Sequence, residues 1–111
     1  MIAIYVKLRE IVCLQNKAEE FLQITAQTVE SYFESYGEGD ERETSEEFQF
    51  VLALTGTITN MAAAAEGRDF LVTKDNGRVL IDTFITVLGV CAVGKNVKMR
   101  NLILMALYNV R

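Results

Sequence analysis

The stretch LTGTITNMAAAAEGRDFLV, Leu54 to Val72, decides the fold of this chain. Small and apolar residues recur through it at helical spacing and predict a packed helix. Thr44 and Glu47 have the spacing of a capping box, which predicts that the helix begins at Thr44. Gly67 is the expected stop of this helix, and RDFLV after it is predicted to form a short turn.

A helical wheel from Glu47 to Glu66 separates two stripes of residues. The first is the predicted core and contains Phe48, Val51, Leu52, Thr55, Ile58, Thr59 and Ala62. The second has small side chains and two amides, and it contains Gln49, Ala53, Gly56, Asn60 and Ala64. A stripe of small residues lets another chain approach closely, and one asparagine in it offers two donors and an acceptor.

Asn60 therefore favours a groove that holds an extended peptide, because each peptide residue offers one N–H and one C=O. The forked donors of Arg68 suit a peptide carboxylate or carbonyl. Two alternatives stay open for Asn60. A lone helical asparagine is most often solvated or bonded locally, and it can also be a buried core amide.

The pattern around Asn60 returns once, because LALTGTITN is echoed by LILMALYN when Asn60 is aligned with Asn109. Helical units that return every ~40–47 residues are typical of armadillo and HEAT solenoids. Asn109 is then the next peptide-binding position. Its predicted groove face contains Lys98, Leu102, Met105, Ala106 and Asn109.

The remaining patterns are also helical. Apolar residues at helical spacing predict helices from Lys17 to Tyr36, from Arg78 to Val90 and from Lys98 to Arg111. The first of these carries the stripe Phe21, Leu22, Thr25, Thr28, Val29, Tyr32, Phe33 and Tyr36. The pattern of residues 1–15 fits either a strand or a helix. The sequence KDNG, residues 74–77, is a strong turn signal. The prediction is an all-α domain.

Composition excludes several function classes. The chain has 111 residues, enough for one small domain, and no histidine, so the commonest general base and metal ligand are missing. We expect no enzyme, no cofactor and no metal site. The net charge of −4 argues against direct nucleic-acid binding, and no apolar run reaches the ~20 residues of a membrane span.

The charge is divided unevenly along the chain. The first 65 residues carry four basic and eleven acidic side chains, and the remainder carries seven and four. The acidic excess lies around EGDERETSEE, which is predicted to be a solvated loop. The basic second half suits an acidic or polar peptide. The two cysteines, Cys13 and Cys91, indicate reduced thiols and a default compartment of cytosol or nucleus.

One further motif suggests nucleotide binding. GVCAVGKN, Gly89 to Asn96, resembles a phosphate-binding loop up to its last position, where Asn96 replaces the required hydroxyl. A helical pattern also precedes it where that loop needs a strand. The residues therefore argue against a nucleotide site.

Four blocks in order, AEEFLQITAQTVESYF, QFVLALTGTITNMAAAAEGRDFLV, RVLIDTFITVLG and LILMALYNV, resemble the armadillo domain of the heat shock factor 2-binding protein family of meiotic recombination factors. The resemblance divides the chain into an unmatched segment, residues 1–16, and a partial armadillo-like domain, residues 17–111. It implies an all-α, armadillo-like helical repeat (α-solenoid). The family's domain is expected to continue past Arg111, and its N-terminal coiled coil is absent, so we expect a truncated form.

The resemblance also implies a function. It implies a non-enzymatic adaptor that forms homo-oligomers and binds a disordered segment of the breast cancer type 2 susceptibility protein. Through that partner it supports repair of meiotic double-strand breaks by homologous recombination. Asn60, Arg68 and Asn109 fall at the peptide-contacting positions of the family.

The resemblance also implies heat shock factor 2 as a partner. It implies two locations, the meiotic chromosomes of the nucleus and the cytoplasm. Two alternatives remain. One is a structural helical fragment that only oligomerises, and the other is a generic armadillo or HEAT scaffold for another partner.

Overall fold

The computed structural model describes residues 2–36, 45–90 and 97–110, and these residues form five α-helices. The helices are α1 (Ile2–Tyr36), α2 (Glu46–Ala63), α3 (Ala65–Thr73), α4 (Asp75–Val90) and α5 (Val97–Val110). The prediction of an all-α fold is confirmed.

Helix α1 resolves the ambiguity at residues 1–15 in favour of a helix, because it is continuous from Ile2 to Tyr36. A helix of its 35 residues is about 52 Å long at ~1.5 Å per residue. The molecule measures 58 × 27 × 20 Å, so α1 sets its longest dimension. The division at residues 16 and 17 stays a prediction.

The helices stack in two layers. Helix α1 packs chiefly against α4, and α2 packs chiefly against α5, while α3 contacts α2, α4 and α5. At the start of α4, Asn76 Nδ2 donates a hydrogen bond of 3.3 Å to the carbonyl oxygen of Glu19, in the middle of α1. At the end of α4, Val90 lines a groove together with Glu34, near the end of α1. The two helices therefore run in the same direction, as neighbouring units of a solenoid do.

Helices α3, α4 and α5 together make one repeat of the solenoid. The segment from Ala65 to Val110 is as long as the ~40–47 residues expected of an armadillo-type unit. Helices α1 and α2 make the preceding unit against which this repeat stacks.

The predicted core stripe of α2 is buried except for Leu52, which is half-buried. On α1, Leu22, Thr25, Val29, Tyr32 and Phe33 are buried as predicted, Ala26 joins them, and Phe21 and Thr28 are half-buried. The Tyr32 and Phe48 rings lie 6.1 Å apart and join α1 to α2. On α4, Leu80, Phe84 and Val87 are buried.

The predicted N-cap of α2 is wrong by one residue. Ser45 is the N-cap, and its Oγ accepts a hydrogen bond from the Phe48 N–H at 3.1 Å. Thr44 lies outside the described residues. Ser45 takes the role because its backbone is extended while its hydroxyl reaches the third amide of the helix.

The predicted end of α2 is also wrong. The helix ends at Ala63, and α3 begins at Ala65 after a bend of 108° at Ala64, so RDFLV is helical. Gly67 lies inside α3. A Cβ at Gly67 would overlap the carbonyl oxygen of Met61, so the glycine allows α3 to cross the end of α2 closely.

The same arrangement recurs at KDNG. Lys74 ends α3 in an extended conformation, and α4 begins at once with Asp75. A Cβ at Gly77 would overlap the carbonyl oxygen of Leu71, six residues earlier, which matches the spacing of Gly67 and Met61. The predicted break is therefore present, but it is a bend between two helices without a loop.

Several predictions lie outside the described residues. They include most of the acidic loop at residues 37–44, the end of GVCAVGKN at residues 91–96 and the side chains of both cysteines; Gly89 and Val90 belong to α4. Within the described ranges, no single helix is long and apolar enough to cross a membrane, and only α2 with α3, counted across their bend, meets that test.

Candidate peptide-binding site

Asn60 lies near the end of α2 with its side chain exposed to solvent. Among the described residues its amide has no hydrogen-bond partner. The neighbouring Thr59 is buried instead, and its Oγ1 lies 2.9 Å from the carbonyl oxygens of both Thr55 and Leu102. Asn60 is therefore not a core amide, and its donors and acceptor are open to a ligand or to water.

The second stripe of the wheel faces outward. Gln49, Ala53 and Ala64 are exposed like Asn60. Gly56 is half-buried because it faces α5, and a Cβ built on it would lie 3.9 Å from Leu102 Cδ1. The small residues thus give a low surface on α2 that borders α5.

Asn109 is half-buried near the end of α5. It lines a shallow cavity of about 320 Å³ together with Leu104, Met105 and Tyr108, all three of which are exposed. The predicted groove face is wrong at Ala106, which is buried in the core because its side of α5 packs inward. We call Asn60 and this cavity the α2–α5 face.

The hydrogen bond from Thr59 fixes how the two asparagines are placed. It joins α2 to α5 at Leu102, so Asn60 lies close to that turn of α5. Asn109 is two helical turns farther, about 10 Å along α5. The two asparagines therefore lie on neighbouring helices, offset by about two helical turns along α5.

Arg68 lies in the first turn of α3 and not in a turn after α2, because the 108° bend separates the two helices. Its side chain is half-buried, and it forms no ion pair among the described residues. Its backbone N–H donates to the carbonyl oxygen of Ala64 at 2.9 Å. Arg68 therefore approaches from a different helix than the stripe that carries Asn60.

Sequence reasoning missed Leu104 and Tyr108. The signal was present in LILMALY, which is apolar on every side of the helix, whereas a helix with one buried face needs only a stripe. The surplus apolar residues must therefore either face a further layer or form a surface for a ligand.

The described residues offer binding chemistry. Amide groups, an arginine and exposed apolar side chains can hold a peptide by hydrogen bonds and contact. Within residues 2–36, 45–90 and 97–110 there is no group of three or more cysteine, aspartate or glutamate side chains that could hold a metal ion.

Comparison with known proteins agrees with the fold. The family described as heat shock factor 2-binding protein ARM-like domain matches residues 7–111. Heat shock factor 2-binding protein of Mus musculus is 49% identical over 96 residues, which is 86% of this chain and 28% of the mouse protein. The chain thus spans little more than a quarter of the length of that relative.

The family match includes the residues that form all five helices except the first five of α1. It also includes Asn60, Arg68 and Asn109. By its name the mouse relative binds another protein, and the armadillo-like fold is a scaffold for such binding. This chain belongs to the family of heat shock factor 2-binding protein armadillo-like domains.

Proposed function

We propose that this chain is a non-enzymatic adaptor that binds an extended peptide through its main chain on the α2–α5 face. Asn60 carries this proposal, because it is exposed and has no hydrogen-bond partner among the described residues. It lies on α2, which packs against the helix of Asn109. Both amides lie on helices that pack against each other, and concave solenoid surfaces commonly bind extended segments.

The proposed partner is a disordered segment of the breast cancer type 2 susceptibility protein. The four sequence blocks that resemble the family support this choice, because they contain all three proposed contact residues. In this role the chain supports repair of meiotic double-strand breaks by homologous recombination, in the nucleus on meiotic chromosomes and in the cytoplasm.

Two further partners belong to the proposal. Heat shock factor 2 is one, supported by the name of the mouse relative and the 49% identity with it. A second copy of this chain is the other, supported by the resemblance to a family whose domain oligomerises. We propose no direct contact with nucleic acid or a membrane.

The test is a calorimetric titration of the chain with the partner's peptide segment. We expect saturable binding that Asn60→Ala, Arg68→Ala and Asn109→Ala each weaken by ~1–3 kcal/mol, because each removes hydrogen bonds to the peptide main chain or carboxylate. Gln23→Ala is the matched control, because Gln23 is an exposed amide on α1.

Circular dichroism must first show unchanged helicity and melting for all four variants. Equal affinities for Asn60→Ala and the control would refute the role of Asn60. A folded chain that binds no peptide but oligomerises would favour the rival function, a structural helical fragment.

A further inference from the structure

The layer formed by α1 and α4 contains a groove that the proposed adaptor function does not use. It runs between α1 and α4 with a volume of about 410 Å³. Its apolar lining consists of Phe33, Val79, Val87 and Val90. Val79 is 53% exposed, so the groove presents apolar surface to solvent.

Three carboxylates border this apolar lining, Glu30 and Glu34 from α1 and Asp82 from α4. None of the three forms an ion pair with the described residues, and none of the described residues that line the groove is basic. Glu30 and Glu34 are four residues apart on one helix, where like charges repel each other. A cationic ligand would remove this repulsion.

The groove suits a helix better than an extended strand. Its polar lining includes the hydroxyls of Thr83 and Thr86, which already donate to the carbonyl oxygens of Val79 at 2.9 Å and Asp82 at 3.1 Å. Few groups are left to pair with an extended main chain, whereas a helix satisfies its own backbone. The groove reaches from Val79 to Val90, about 16 Å, or three turns of a helix.

We propose that the α1–α4 groove is a second docking site, and that its occupant is a basic amphipathic helix of a partner protein. The apolar face of that helix packs on Phe33, Val79 and Val87, and its lysines or arginines meet Glu30, Glu34 and Asp82. The described residues that line the groove are all different from those of the α2–α5 face, so both sites can be occupied together. This inference does not depend on the proposed function.

The test is fluorescence polarisation with the labelled peptide KLAKKLAKLAKKLA, whose leucines share one helical face. The same peptide with every lysine replaced by glutamate is the charge control. We expect saturable binding of the basic peptide to the full chain, weaker at higher salt. We expect no binding of the acidic peptide.

Variants locate the binding on the groove. Val79→Ser should weaken it about fivefold, because an apolar contact is lost. Ile85→Ser is the matched control and should leave it unchanged, because Ile85 lies on the same helix, is 54% exposed and does not line the groove. Glu30→Gln with Asp82→Asn should weaken binding about threefold, and Glu20→Gln with Glu46→Gln should not.

Each other result overturns the proposal. Absence of saturable binding, equal binding of the acidic peptide, or equal loss in Val79→Ser and Ile85→Ser would exclude a basic helix in this groove. Sedimentation velocity is measured in parallel. Self-association that Val79→Ser abolishes would assign the groove to a second copy of this chain instead.

Discussion

At the scale of single residues, Thr59 and Asn60 are neighbours on α2 but have different surroundings. Thr59 is buried and bonds to α5, whereas Asn60 is exposed. One helical step of ~100° separates them. A threonine on the core face thus bonds the two helices together, and the next side chain is exposed to solvent.

Thr59→Val should lower the free energy of unfolding by about 1 kcal/mol, because it removes a buried hydroxyl bonded to Leu102 and keeps the side-chain shape. Urea denaturation followed by circular dichroism measures this. Thr57→Val is the control. Its hydroxyl bonds only to Ala53 on its own exposed face, so the change should stay within ~0.5 kcal/mol. Equal changes in the free energy of unfolding for the two variants would contradict a stabilising hydrogen bond between α2 and α5.

At the scale of the elements, the breaks at the two ends of α3 are built alike. Each has an extended residue, Ala64 or Lys74, followed three positions later by a glycine inside the next helix. In both, the glycine lies against a carbonyl oxygen of the preceding helix. Close backbone contact, and not chain termination, therefore explains why Gly67 and Gly77 are glycines.

Gly67→Ala and Gly77→Ala should each destabilise the chain by roughly 1–3 kcal/mol, because the added methyl group overlaps backbone. Gly56→Ala is the matched control within α2. Its Cβ would make an ordinary contact with Leu102, so it should stabilise by ~0.5–1 kcal/mol through helix propensity. Thermal melts of the three variants measure these changes in stability. A Gly67→Ala variant more stable than the original chain would contradict the close crossing of α3 and α2.

At the scale of the whole molecule, the two layers share one core. Phe84 on α4 is 1% exposed. It lines a cavity of only about 10 Å³ together with Ile58 of α2, Leu71 of α3 and Ala106 of α5. Four helices therefore meet at this side chain. We expect α2 to α5 to unfold together and not as separate layers.

Phe84→Ala should cost about 3–5 kcal/mol, because it opens a cavity where four helices meet. Ile85→Ala, at the adjacent exposed position, should change the free energy of unfolding by less than ~0.5 kcal/mol. Far-ultraviolet circular dichroism and tyrosine fluorescence report on different parts of the chain. Their transitions should coincide in urea, and separated transitions would show that the layers unfold independently.

The sequence predicted much of this architecture because helical periodicity is local. The stripe from Phe48 to Ala62 was correct at nearly every position, since a residue's place on a helix follows from the 3.6-residue repeat. The same repeat placed Asn60 outside the core. Whether Asn60, Arg68 and Asn109 contact a peptide stays a prediction.

The all-α class, the core faces of the helices and the family all follow from sequence patterns alone. Tertiary structure was needed to locate the bend at Ala64, which no local signal predicted, whereas KDNG had already predicted the break at Lys74. It also decided the α1–α4 groove and the apolar cavity beside Asn109, because both depend on which side chains of separate helices come together. Periodicity describes one helix at a time, whereas a binding surface is a property of the contact between helices.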